Sequence, residues 1–432
     1  MHIRKFINIF LIASASFGGP VFGQDLHDVA MRIHKDTSLN RVKTMASDLI
    51  QTGFNAGSGY GEVWIRDFNT FIQLSCVMMP KDSIKSRLRV FFQMQGKDGN
   101  IIDGYIPAVK AGQGYDYIYN PNVPDFAGHK NTVETDQETS LIQAVYKYVR
   151  ETGDTAFLSE MIAGKSIDSR MSDALAFLMS KRYAPKYGLI YGATTVDWGD
   201  VQPETPWGVL IDSSSHLAID VYDNAMLVIA LNNYIELFPN IGSWIEVRKS
   251  LVKNIRKYLW DAKYKKFIPH VYLHGSPFPA SFDENKINYH GGTATAVEAG
   301  LLSKKEVQIV NDQMLADVKA AHAASIGLTI YPPYPEGSFK NKGMYPYGYQ
   351  NGGDWTWFGA RMITQLVQNR LIKEAYAEIS PMIKRVLANK DFYEWYTPDN
   401  KPSGSANFRG SAGVLYTAIV SLQKWSEDYL KK

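Results

Sequence analysis

Carboxylates set among aromatic rings are the residues of this sequence best suited to chemistry. Glu394 lies in "FYEWYTPDNKPSG" (392–404) among four aromatic side chains, just before a Pro/Asp/Asn/Gly turn. A carboxylate beside so much apolar surface either points to water or takes part in proton transfer, because burial disfavours its charged form. Three other stretches combine acids with Trp or Arg: "EVWIRDFNTF" at 62–71, "YGLIYGATTVDWGDVQPETPWG" at 187–208 and "YPYGYQNGGDWTWFGARM" at 345–362.

These residue types are typical of a sugar-binding site. Aromatic faces stack on the CH surfaces of sugars, while Arg and Asp side chains hydrogen-bond to hydroxyls. Structural roles stay open as alternatives for some of these residues. Arg66 and Asp67 can form an ion pair, Asp136 can begin a helix, and Asn351 can belong to a turn. The candidate substrate-binding residues are Trp64, Arg66, Asp67, Asp136, Trp198, Asp200, Gln350, Asn351, Asp354, Trp355 and Trp395.

Motifs of other enzyme classes are missing from the sequence. There is no HExxH, CxxC pair, GxSxG or Walker-type loop, and the nine histidines are scattered. "GSGYGE" at 57–62 lacks the strand-then-helix setting of a nucleotide fingerprint and is interpreted as a turn. We therefore expect no cofactor and no metal site.

Composition and the N-terminus indicate an exported globular protein. The 432 residues are 45% hydrophobic and 13% aromatic, enough for a large core. Arg4 and Lys5 precede the apolar run "FINIFLIASASF", and small residues end at Gly23, which predicts a signal peptide over 1–23; a buried N-terminal helix is the alternative. Cleavage removes two positive charges and no acids, so the formal net charge falls from +3 to +1. A net charge this small excludes the strongly basic surface that binds nucleic acid or an anionic membrane. We expect a periplasmic or secreted protein.

A helical period dominates the rest of the chain. "SLIQAVYKYVRETGD" (140–154) places five apolar residues on one face, with Gly153 as a C-terminal cap. The stretches 223–240, 356–379 and 413–430 repeat this pattern. We expect minor β structure in "KFIPHVYL" and one helical domain over 24–432. Long aromatic, Gly/Pro-rich segments separate the helices: 54–64, 98–132, 186–212, 268–292, 331–355 and 391–410. Connections of this length are usually functional.

The order of these segments resembles the six-hairpin, (α/α)6-toroid glycosidases: neutral/alkaline invertases, trehalases, processing α-glucosidase-type enzymes and glycogen-debranching amylo-1,6-glucosidases. "VWIRDF" resembles their Arg-Asp segment, which holds the sugar. "VETDQETSLIQAVYKYVRETGD" resembles an Asp-containing helix start, and "GLIYGATTVDWGD" resembles the segment of the general acid. "YQNGGDWTW" resembles the invertase loop "YHNGGSWP", and "YEWYTPDNKPSG…NFRGSAGVLYTAI" resembles the closing segment of the general base. The resemblance implies an all-α (α/α)6 toroid with long functional loops and minor β hairpins.

The resemblance also implies an activity: an exported, inverting, exo-acting α-glycosidase, α-glucosidase-like, acting on an oligosaccharide or glycoside. Glu394 is then the base that activates water and Asp197 the acid, with Asp200 as the competing candidate. Trp198 would raise the pKa of the acid by desolvation. Asp354 stands where the invertases carry Ser, which argues against sucrose as substrate and against phosphate in that loop.

Other functions stay open at this stage. The toroid scaffold also serves unsaturated-uronyl hydrolases, polysaccharide lyases, epimerases and glycoside phosphorylases. Lyases favour a His/Tyr/Arg cluster, epimerases favour paired histidines, and phosphorylases need a basic anion site; none of these stands out. A non-catalytic sugar-binding protein is the third class, and it would not need both Asp197 and Glu394.

Overall fold

Helices form most of the described part of the chain, which comprises residues 20–112, 116–207 and 209–431 of a computed structural model. The α-helices are α1 Pro20–Lys35, α2 Thr37–Ile50, α3 Ile65–Met78, α4 Lys81–Gln93, α5 Asp136–Thr152, α6 Ile167–Lys181, α7 Val221–Leu237, α8 Gly242–Tyr258, α9 His290–Glu298, α10 Lys304–Ala321, α11 Thr356–Gln368, α12 Ile372–Asn389 and α13 Arg409–Leu430.

Six of these helices close an inner ring. In order, α3, α5, α7, α9, α11 and α13 each pack against the next, and α13 packs against α3. The intervening helices lie outside: α4 and α6 on α5, α8 on α7, α10 on α9, α12 on α11, and α1 and α2 on α13. This arrangement is an (α/α)6 toroid, as predicted.

The strands are short and lie in the connections. Four of them form the sheet β1-β2-β4-β3, three form β13-β10-β9, and the others pair as hairpins or two-stranded ladders. β12 and β13 fall inside the predicted segment 266–273. The strands are β1 Val63–Trp64, β2 Gly104–Pro107, β3 Ile118–Tyr119, β4 Phe126–His129, β5 Met161–Ile162, β6 Lys165–Ser166, β7 Tyr183–Ala184, β8 Leu189–Ile190, β9 Gly192–Ala193, β10 Leu217–Ile219, β11 Trp260–Asp261, β12 Lys266–Phe267, β13 Val271–Tyr272, β14 Asn288–Tyr289, β15 Ile330–Tyr331, β16 Trp395–Tyr396 and β17 Pro402–Ser403.

Several helices end at or next to residues with a left-handed backbone conformation. α5 ends where Gly153 adopts a left-handed backbone with φ 70°, as its sequence predicts. The apolar period over 356–379 is divided between two helices, because Arg370 has φ 61° and the Leu371 amide turns back to the Leu366 carbonyl. This break converts one periodic stretch into an inner helix, α11, and an outer helix, α12.

The six long segments all lead into inner helices, which sets the place of the site. The segments 54–64, 268–292, 331–355 and 391–410 end at the starts of α3, α9, α11 and α13, whereas 98–132 and 186–212 end a few residues before α5 and α7. Since alternate helices of the toroid run in opposite directions, these six connections meet at one end of the ring. A second hydrophobic cluster, which includes Val196, Tyr289, Ile330 and Tyr334, joins three of these connections.

The predicted signal peptide falls mostly on residues 1–19, which lie outside the described residues. The predicted Gly23–Gln24 junction lies within α1. Within the described ranges, no helix combines the length and apolar character needed to span a bilayer.

Candidate active site

Glu394 is buried and held by two donors. Its residue is 4% exposed and immediately precedes β16. The Tyr60 hydroxyl donates to Oε1 at 2.9 Å, and the Ser405 amide donates to Oε2 at 2.8 Å. Burial raises the pKa of the carboxyl, while these two hydrogen bonds oppose the shift because they stabilise the anion. The carboxyl is therefore oriented and poised to accept a proton.

Two glycine-containing turns allow this arrangement. Gly404 has φ 69°, and a Cβ there would lie 2.5 Å from Glu394 Oε2. A Cβ at Gly57 would lie 2.4 Å from the Ser405 Oγ, so only glycine lets the 57–61 turn pack against the closing segment. That turn carries Tyr60. The "GSGYGE" stretch is thus a turn, as interpreted, and it positions a partner of Glu394.

Asp200 is the carboxyl of this region that reaches solvent. Its side chain is 23% exposed. Arg66 Nη2 donates to Asp200 Oδ2 at 2.9 Å, and Gln350 Nε2 donates to Oδ1 at 2.7 Å. Gln350 is itself fully buried, so it positions Asp200 rather than binding substrate.

The Arg66 guanidinium lies close to three carboxyl groups. Besides Asp200, its Nη1 lies 2.6 Å from Glu134 Oε1 and 3.6 Å from Asp136 Oδ2. Burial raises the pKa of Glu134 although Arg66 opposes the shift. One guanidinium shared in this way does not neutralise all three carboxyl groups.

Asp67 is a buried carboxyl whose surroundings favour its protonated form. Burial raises its pKa to about 8; Arg66 opposes the shift, and the charge of Glu394 adds to it. Its Oδ1 is buried and has no hydrogen-bond partner among the described residues. A protonated carboxyl with a free oxygen is suited to exchange hydrogen bonds with a sugar hydroxyl.

Asp197, the predicted acid, has a carboxyl that is enclosed by α9 rather than open to solvent. It is 1% exposed, has φ 54°, and its Oδ2 accepts the Gly292 amide of α9 at 2.7 Å. Burial raises its pKa to about 8, opposed by the Gly292 and Gly291 amides. A Cβ at Gly292 would sit 2.3 Å from Asp197 Oδ1, so α9 covers the carboxyl closely. The side chain anchors the loop to the start of α9 and leaves Asp200 as the accessible acid.

Asp354 and Asn351 are fully buried and bonded to protein groups, which favours a structural role over the predicted contact with substrate. Asp354 is fully buried, with Oδ1 2.9 Å from Arg385 Nη1 and further bonds from Ser325. Its charge is thus matched inside the core and has no bearing on sucrose or phosphate. The Asn351 side chain accepts from the Tyr334 amide and donates to the carbonyls of Tyr334 and Met344, which defines a turn.

The other predicted residues mostly build the wall behind the carboxyls. Trp198 and Trp355 are buried edge to face with ring centroids 4.6 Å apart, and the Arg66 guanidinium lies 5.7 Å from the Trp198 ring. Asp136, also buried, accepts the Tyr222 hydroxyl at 2.9 Å. Trp395 is buried too. Trp64 stays partly exposed, with its ring edge to face with His129. In this structure Asp136, Trp198, Trp355 and Trp395 pack against protein groups, and their contact with substrate stays a prediction.

Two residues of the site escaped the sequence interpretation: Tyr60 and Glu134. Glu134 stands two residues before Asp136 in the quoted "VETD", and Tyr60 lies in the glycine-rich turn. The available signals were the place of Tyr60 in the long segment 54–64 and the place of Glu134 just before α5. Among the described residues, no group of three or more His, Cys, Asp or Glu side chains is arranged to hold a metal ion.

Comparisons with known proteins agree with this architecture. The model of the family described as glycosyl hydrolase 94 superfamily, catalytic domain, matches residues 36–397. The fold is similar to GH63 mannosylglycerate hydrolase from Thermus thermophilus in complex with glucose, with a TM-score of 0.63 and 14% identity over 87% of this chain and 99% of that one. A complex of that enzyme with Tris and D-glycerate has a TM-score of 0.60 and 15% identity, with the same coverage of both chains.

A rhamnosidase from Klebsiella oxytoca with rhamnose bound has a TM-score of 0.58 and 14% identity, over 89% of this chain and 64% of that one. No curated protein matches the chain significantly. At these identities the structural similarity shows a shared fold.

Proposed function

The chain belongs to the glycosyl hydrolase 94 superfamily, and on that premise we propose an inverting, exo-acting α-glycosidase whose substrate is an α-glucoside. The protein is a glycoside hydrolase. In our proposal Asp200 protonates the glycosidic oxygen, and Glu394 removes a proton from the attacking water. Asp67 binds a hydroxyl of the reacting sugar.

The observation that carries the proposal is the pairing of a buried Glu394 with an accessible Asp200. Glu394 has a donor on each oxygen, which favours a base that receives a proton from water. Asp200 stands nearer to solvent, where a leaving group would emerge. A buried base and an acid at the mouth favour removal of a terminal sugar, and hence exo action.

The charge of the site favours an uncharged sugar. Arg66 is already paired with Glu134, Asp136 and Asp200. A sugar carboxylate or a phosphate entering here would meet the carboxyls of Asp200 and Glu394, while the Arg66 guanidinium is already paired with carboxyl groups. This argues against an unsaturated-uronyl hydrolase, a lyase or a phosphorylase.

Sugars bound to proteins of the same fold support the substrate class. The Thermus enzyme was seen with glucose, and the Klebsiella rhamnosidase with rhamnose. Both ligands are neutral monosaccharides, consistent with a site that takes a terminal neutral sugar. The α-glucoside preference rests on the resemblance to α-glucosidase-type toroid enzymes.

A glycoside panel with product analysis tests the function. We expect hydrolysis of an aryl α-glucoside over its β-anomer, with β-glucose as the first product seen by NMR, because water attacks the face opposite the leaving group. Inorganic phosphate should neither accelerate the reaction nor give glucose 1-phosphate. α-Glucose as the first product would indicate retention, and glucose 1-phosphate would indicate a phosphorylase.

Export is part of the proposal and has its own expected outcome. The N-terminal charges, apolar run and small residues support removal of residues 1–23. N-terminal sequencing of protein recovered from the periplasm or medium should therefore begin at Gln24. A mature protein that starts at Met1 would contradict this.

A further inference from the structure

We infer that the Tyr349 hydroxyl is a substrate-binding donor that contacts the sugar held between Asp200 and Glu394. This inference rests on the proposed function of the site. It adds a residue to the pocket that neither the sequence motifs nor the carboxyl network had singled out.

The backbone fixes Tyr349 at the site. It immediately precedes Gln350, whose side chain donates to Asp200. Its own φ of 42° lies in the left-handed region, which a bulky residue adopts only where the surroundings impose it, often at functional sites. The Trp355 indole and the Gly353 amide both donate to the Tyr349 carbonyl, at 2.9 and 3.2 Å, and hold this conformation.

The ring is fixed as well as the backbone. It packs 5.6 Å from the Trp355 ring and touches both hydrophobic clusters of the molecule. Removal of the hydroxyl alone would therefore leave a ring that packs as before. This makes Phe a conservative replacement at the position.

Among the described residues, the hydroxyl of Tyr349 has no hydrogen-bond partner. Burial raises its pKa well above the usual range, and the nearby charges of Asp200 and Glu394 and the phenol of Tyr60 add to this shift. It is thus a hydrogen-bond donor at any working pH. Within the described ranges no atom hydrogen-bonds to it, whereas the hydroxyls of Tyr60 and Tyr289 are both engaged.

A donor of this kind bonds to water in the free enzyme and is available to a ligand hydroxyl. Because a site built to bond a substrate hydroxyl discriminates strongly against its absence, the contact should contribute to kcat/KM. We expect Tyr349→Phe to lower kcat/KM for 4-nitrophenyl α-D-glucopyranoside by about 10–100-fold, as loss of one bond in a desolvated site does.

Monodeoxy analogues of that probe identify the partner. In wild type, the analogue that lacks the partner hydroxyl should lose activity as Tyr349→Phe does. In Tyr349→Phe the same analogue should show no further loss, while the other analogues lose activity in both proteins alike. An effect of Tyr349→Phe below twofold, or full additivity for every analogue, would overturn the inference.

Two phenol variants serve as controls. Tyr289→Phe removes a hydroxyl that bonds only to protein, so it should not single out one analogue. Tyr60→Phe removes the donor on Glu394; this raises the pKa of the base, and the acidic limb of the kcat/KM profile moves to higher pH. Tyr349→Phe should leave that limb in place.

Glucose binding separates this inference from the proposed function. If wild type does not hydrolyse the probe, the proposed function fails, and calorimetry with glucose then tests Tyr349 directly. Weaker binding by Tyr349→Phe than by wild type would support the contact. Equal affinity, or no binding by either protein, would refute it.

Discussion

Glu394→Gln should lower kcat by about 10²–10⁴-fold with little change in substrate affinity. In an inverting site the base acts on water, so its loss removes an interaction made only in the transition state. The replacement keeps the shape of the side chain. Its amide oxygen can still accept from the Ser405 amide, and its NH₂ can donate to the Tyr60 hydroxyl. Single-turnover rates and binding of the unreacted glycoside measure the two effects separately.

Glu378→Gln is the matched control for that substitution. Glu378 is also a buried glutamate, and its Oε1 accepts from Asn311 between α10 and α12, away from the carboxyl cluster. Its pKa is raised to about 7 by burial, so an amide replaces a group that is partly neutral already. We expect this variant to keep its activity. Full activity in Glu394→Gln would return that glutamate to a structural role.

Much of the scaffold could be predicted because its determinants are local. The apolar face of 140–154 and the cap at Gly153 define α5, and six long ring-rich segments mark the connections. Closure of the ring depends on packing of α13 against α3, between residues more than 300 positions apart. No local pattern reports such a contact, and only the resemblance to toroid enzymes supplied it.

The site was harder to predict because burial and partners are set by distant segments. Asp354 looked like a loop acid, but its partner Arg385 lies one helix further along the chain. Trp198 suggested a desolvated acid next to it, and Asp197 is indeed desolvated, but by α9, which leaves no access for substrate. Type and spacing identified the acidic stretch; the backbone conformation decided which acid faces the pocket.

Asp200→Asn should lower kcat by a comparable factor, about 10²–10⁴, on glycosides with poor leaving groups. The acid protonates the departing oxygen, so the cost should nearly vanish for α-glucosyl fluoride, whose leaving group needs no proton. Asn keeps the size of the side chain, and its amide can exchange hydrogen bonds with Gln350 and Arg66 in place of the carboxylate. The ratio of the two rates, fluoride to aryl glucoside, is the quantity to measure in wild type and variant.

Asp197→Asn separates the two candidate acids in the same assay. Asp197 bonds to the Gly292 amide and is enclosed by α9, so its replacement acts through the loop that carries Asp200. Any loss should then be the same factor for the fluoride and for the glycoside, with a lower melting temperature. A rate ratio that rises in Asp197→Asn and stays constant in Asp200→Asn would reverse the assignment, since only the proton donor responds to the leaving group.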